Sequence, residues 1–145
     1  MKKFTVMFLI FLFAHPLFSF GQETTNNKNL DAISGRYAEC AAYYGTIQDA
    51  MDSSLQKDSA ETYRQLANTA KIYSLLLAIE GRSQNSAVAV TKARFDRYMD
   101  NMKGESARND ENFTTFNNKY QSECRDAMEH PSTQLVDILM AMMRK

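Results

Sequence analysis

The chain has 145 residues, with 17 basic and 17 acidic side chains. That length suits one domain, and the balanced charge offers no positive excess for phosphates, which argues against a nucleic-acid binder. The two cysteines, Cys40 and Cys124, stand too far apart for a CxxC redox motif, a CxxC zinc knuckle or a CxxCH haem attachment.

The N-terminus reads as an export signal. Met1-Lys2-Lys3 is a short basic start, and Phe4 to Ala14 is an unbroken apolar run ended by His15 and Pro16. Ser19-Phe20-Gly21 supplies the small residues that a signal peptidase reads, so cleavage is expected after Gly21. The rival reading is an uncleaved anchor, which needs about 20 apolar residues; His15-Pro16 interrupts the run well short of that. Residues 1–21 are therefore expected to be a cleaved Sec-type signal, residues 22–29 a flexible polar leader, and residues 30–145 a single helical domain. Cleavage removes two of the 17 basic residues and no acid, leaving 15 basic against 17 acidic side chains. No later segment is apolar enough to span a membrane. The expected location is the periplasm or the exterior, where disulfides persist.

The first helix is expected over Leu30 to Ser54. Leu30, Ile33, Tyr37, Cys40, Tyr44, Ile47 and Met51 step by three and four and so share one stripe. Gly35 and Gly45 each cost about 1 kcal/mol against alanine in a helix; a close helix approach at Gly45 would compensate. Asp58-Ser59-Ala60-Glu61 has the pattern of a capping box, starting a second helix that stops at Gly81. Its face is Tyr63, Leu66, Ala70, Tyr73 and Leu77, and its apolar second half is expected to be the most deeply buried part of the protein. Ser83 starts a third helix with Val88, Thr91, Phe95, Tyr98 and Met102 inward, and with Lys92, Arg94, Asp96, Arg97 and Asp100 solvated. A break is expected within 103–109, the alternative being a helix continuous through Gly104. The fourth helix runs from Asn109 to about Glu129, ended by Pro131, with Phe113, Phe116, Tyr120, Cys124 and Ala127 on its stripe. A short fifth helix follows, with Pro131 in its first turn and Leu135, Ile138, Leu139 and Met142 inward. No alternating β-pattern and no hairpin turn occurs.

Both cysteines lie on the apolar stripe of their helix, one early in the first helix and the other late in the fourth. In an up-down-up-down bundle these positions are level. The expected fold is all-α: an antiparallel up-down-up-down four-helix bundle with a short fifth C-terminal helix, stapled by a Cys40–Cys124 disulfide. Closing a loop of this length stabilises by roughly 4.6 kcal/mol in the chain-entropy account.

No catalytic constellation stands out. His130 is the sole histidine after cleavage and has no nucleophile or carboxylate at recognisable spacing. Di-iron bundles need Glu-x-x-His pairs, which are absent. No catalytic, cofactor or metal residues are therefore assigned, and the chain is read as non-enzymatic. Met51, Met99, Met102, Met128, Met140, Met142 and Met143 offer soft ligands for Cu(I), but most fall on stripes where methionine fills gaps. Tyr43 lies off the stripe, and Arg36, Tyr43 and Arg125 are expected along one rim, read either as a helix-packing aromatic with ordinary surface charges or as a partner surface, since tyrosine and arginine are enriched at interfaces. In composition and topology the chain resembles small exported bacterial helical proteins with one cysteine on each of two distant helices, among them periplasmic immunity proteins. The functional expectation is a protein-binding module, such as an inhibitor, immunity factor or chaperone-like protein. Its alternative is a carrier of copper or a small ligand in the bundle interior.

Overall fold

The computed structural model describes residues 20–106 and 110–144. Among them are five helices and no strand: α1 (Phe20–Ser53), α2 (Lys57–Glu80), α3 (Gln84–Ser106), α4 (Asp110–Glu129) and α5 (Thr133–Met143). The all-helical expectation holds. The signal core, residues 4–14, lies outside the described residues. Helix α1 takes in residues 22–29, which were expected as a flexible leader, so the helix begins ahead of the apolar period. A polar first stretch carries no stripe for a periodicity reading to detect.

Helix α1 sits at the centre. Cys40 to Ile47 are eight consecutive buried residues, more than two full turns with no face left to solvent. The expected stripe is present, with Leu30, Tyr37, Cys40, Tyr44 and Ile47 buried. A second wall of small residues, Ala38, Ala41 and Ala42, is buried beside it and does not register as an apolar stripe. Gly45 belongs to this wall. A Cβ placed there would lie 3.1 Å from the Met99 sulfur, so glycine here permits the close approach of α3. The deepest part of the fold is thus mid-α1 and not the second half of α2, where Ile72 is 56% exposed.

The partners of α1 fall in clear order. Toward α2 they are Asp31 with Arg82, Ser34 with Ser74, Tyr37 with Tyr73 and Tyr44 with Tyr63, so the two sequences run in opposite senses. Toward α3 they are Asp31 with Arg94, Gly45 with Met99 and Asp49 with Lys103, in the same sense. Toward α4 they are Tyr37 with Ala127, Cys40 with Cys124 and Tyr43 with Asn117, again opposed. The expected disulfide is present, with Cα atoms 5.2 Å apart, and it closes a sequence separation of 84.

Several local expectations are corrected. The capping box at Asp58 does not form: α2 starts at Lys57, Gln56 makes no side-chain cap, and Glu61 is turned to Arg64. What sets this boundary is the end of α1. The Gln56 amide donates to the Met51 carbonyl and the Leu55 amide to that of Asp52, with Leu55 at φ 62°. This is a Schellman closure with leucine in the place that favours glycine. On α3, Ala87 faces inward and Val88 outward at 49% exposure, and Arg94 leaves the expected solvated face to pair with Asp31. Helix α3 continues through Gly104 to Ser106. The chain then reverses, since Lys119 Nζ returns to within 3.0 Å of the Glu105 carboxylate; residues 107–109 lie outside the described residues. Ser132 caps α5 by accepting from the Leu135 amide, so Pro131 precedes the cap and is not in the first turn. Leu135 is buried, whereas Met142 points outward.

Candidate functional site

Where α1, α3 and α4 meet beyond the disulfide, a cleft of about 540 Å³ opens. Gly35 and Ala32 lie along α1 at its floor, and nothing stands within 4 Å of where a Gly35 Cβ would be. Its charged walls come from Lys28, Asp31, Arg36 and Glu39 of α1, Arg94 and Arg97 of α3, and Glu123 of α4.

Asp31 is the fixed point. Arg82 approaches it to 2.6 Å and Arg94 to 2.8 Å, so one carboxylate ties the end of α2 and the middle of α3 to α1. The Arg82 guanidinium, with help from Arg94, holds the Asp31 carboxyl below the ordinary aspartate value against the opposing effect of burial. Arg94 also donates to Ser34 Oγ at 3.3 Å, which locks its guanidinium from a second side.

The other cations are not committed in this way. No ion pair engages Lys28, Arg36 or Arg97 among the described residues, and Arg97 lies 5.4 Å from the centre of the Tyr98 ring. At the cleft's other end stand Glu39 and Glu123. Each precedes one of the bridged cysteines, so the disulfide itself brings them together. Burial, and then the like charge of Glu123, push the Glu39 carboxyl above its ordinary value. The cleft therefore has a cationic end with an aromatic ring and an acidic end with a half-desolvated carboxyl.

The expected rim is only partly realised. Arg36 lines the cleft and is exposed. Arg125 is exposed on α4 but does not line it. Tyr43 is 1% exposed, which corrects its expected surface position. It lies among Tyr44, Phe116 and Tyr120, and its hydroxyl donates to Asn117 Oδ1 at 2.7 Å. Burial pushes its phenol well above the ordinary tyrosine value, and that of Tyr44 up to about 12. The cause is that α4 covers the off-stripe side of α1. Arg94, Arg97, Glu39 and Glu123 were not singled out from sequence. The glutamate pair was within reach, since pairing Cys40 with Cys124 brings the preceding residues near each other.

His130 is exposed at the end of α4. Met102 is buried, Met51, Met99 and Met128 pack partly buried against the core, and Met140, Met142 and Met143 are exposed on α5. Among the described residues no group of three or more His, Cys, Asp or Glu side chains is placed to hold a metal ion. No helix among them is long and apolar enough to cross a membrane. The chain matches no family model, no curated protein and no solved structure.

Proposed function

We propose that this chain is a small exported, non-enzymatic protein-binding module, an inhibitor, immunity factor or chaperone-like protein, acting in the periplasm or outside the cell after cleavage behind Gly21. In this reading it folds as an antiparallel up-down-up-down bundle with a fifth helix, as the alternating sense of the contacts made by α1 suggests. The disulfide is consistent with an oxidising compartment.

The observation that carries the binding role is the cleft at Arg36, Arg97 and Tyr98. Its cations are unpaired among the described residues, while Asp31 and Arg94 beneath them are rigidly held. Arginine and tyrosine on a stiff support are what interface centres use, and pre-organisation lowers the entropy cost of association. The partner is a protein surface with acidic groups facing Arg36 and Arg97 and a cation facing Glu39 and Glu123. The test is affinity capture from the native envelope with wild-type bait and with an Arg36→Glu/Arg97→Glu bait. A stoichiometric protein held by the first and lost from the second bears the reading out. A bound metal or chromophore with no protein partner refutes it and favours the carrier alternative.

A further inference from the structure

A second concavity, on the opposite flank of α3, is built differently from the charged cleft. It is a groove of about 390 Å³ between α2 and α3, with Ile72, Leu75, Val88 and Phe95 among its lining residues. Ile72 and Val88 both line the groove and leave about half of their surface in water. Two large aliphatic side chains left in water on one concave surface are uncovered apolar area that a ligand can bury.

The groove also holds unused polarity. Lys71 extends over Phe95, with Nζ 3.7 Å from the ring centre, and no carboxylate forms an ion pair with it among the described residues. Burial pulls its ammonium below the ordinary lysine value, outweighing the opposite effect of the nearby Asp96 carboxylate. Lys92 and Asp96 at the rim pair with one another and leave Lys71 as the spare charge. On the floor, Thr91 is buried and its Oγ1 has no hydrogen-bond partner. Thr91 stands one turn before Phe95 on the same helix face, so the orphan hydroxyl and the ammonium occupy neighbouring points of the groove.

Lys71, Lys92 and Asp96 leave the apolar trough with one net positive charge, which selects an amphipathic anion. From Val88 to Asp96 the groove follows α3 for about 12 Å at 1.5 Å per residue. That suits a single extended alkyl chain and is too short for a helical partner of several turns. We propose that the α2–α3 groove binds a single-chain alkyl carboxylate, with the chain along Ile72, Leu75, Val88 and Phe95 and the carboxylate on Lys71.

The probes are decanoate, octanoate and decyltrimethylammonium, titrated into the full-length protein by calorimetry and by amide NMR. Decanoate should bind saturably, one to one, and shift resonances within 71–75 and 88–96. Octanoate, lacking two methylenes, should bind about tenfold more weakly. Lys71→Met should weaken decanoate at least tenfold, and Val88→Asp, at an already exposed position, should abolish binding while leaving thermal unfolding unchanged. The proposal is overturned by non-saturable binding, by equal affinity for decyltrimethylammonium and decanoate, by shifts centred elsewhere, or by variants that bind as the wild type does.

Discussion

Ser34 of α1 and Ser74 of α2 exchange hydrogen bonds, each hydroxyl donating to the other's backbone carbonyl, at 2.9 and 2.8 Å. Both side chains are fully buried, 40 residues apart in sequence. The pair sits directly beneath Asp31 and Arg94, because Arg94 donates to Ser34 Oγ. Small residues let α1 and α2 approach, and the reciprocal bonds fix their register. Ser34→Ala or Ser74→Ala should each cost about 1–2 kcal/mol. In the double variant the two costs should fall short of adding by at least about 0.5 kcal/mol, because each hydroxyl serves the other's helix. Urea denaturation of the four-membered cycle measures this.

The disulfide holds Glu39 and Glu123 together at the acidic end of the charged cleft. Cys40→Ala/Cys124→Ala should lower stability by about 4–5 kcal/mol on the loop-entropy account. That is comparable with the whole net stability of a small domain, so the reduced protein should unfold at much lower denaturant. An oxidised mass two hydrogens below the reduced mass, with a free-thiol titre of zero, accompanies the intact bridge.

Leu55 adopts φ 62° with 82% of its surface exposed. A branched side chain in the left-handed region costs about 1–2 kcal/mol, and glycine removes that strain. Part of the gain is lost because glycine leaves the unfolded chain more freedom. Leu55→Gly should therefore raise stability by about 0.5–1 kcal/mol, read as an upward shift in the thermal midpoint.

How much of this was legible beforehand differs from one element to the next. Cys40 and Cys124 were readable as a pair because both fall on apolar stripes at matching heights. Pro131 fixed the end of α4. Tyr43 was misplaced because stepping by three and four finds one seam per helix, whereas α1 is wrapped on every side between Cys40 and Ile47. Its second wall is Ala38, Ala41, Ala42 and Gly45, which keep helical spacing but are too small to stand out beside the large apolar residues of the first stripe. The Asp31–Arg94 pair lies beyond local patterning, since its members are far apart in the chain and each resembles an ordinary surface charge. Only the packing of α3 against α1 makes them partners.

The carboxyls of the cleft set opposite pH trends. Asp31 is held below its ordinary value of 3.8, so its stabilisation is complete above that pH and is lost as pH falls through the lower folded value. Glu39 is raised above its ordinary value of 4.5, so its contribution favours the folded state in acid and is lost as pH rises through the higher folded value. Glu39→Gln should therefore be more stable than wild type at neutral pH, the gap closing as pH falls toward 4.5. Asp31→Asn should be less stable at neutral pH, the gap closing below 3.8. Thermal midpoints of both variants across this range check the two signs.

In the proposed function, the cleft at Arg36, Arg97 and Tyr98 is the face that holds a protein partner. The most direct measurement is the dissociation constant of the captured partner for wild-type protein and for Arg36→Glu/Arg97→Glu, at low and at high salt. The account predicts at least a hundredfold loss for the double variant at low salt, with the difference narrowing as salt screens the charges. Equal affinity for the two proteins, with both folded to the same thermal midpoint, would contradict it.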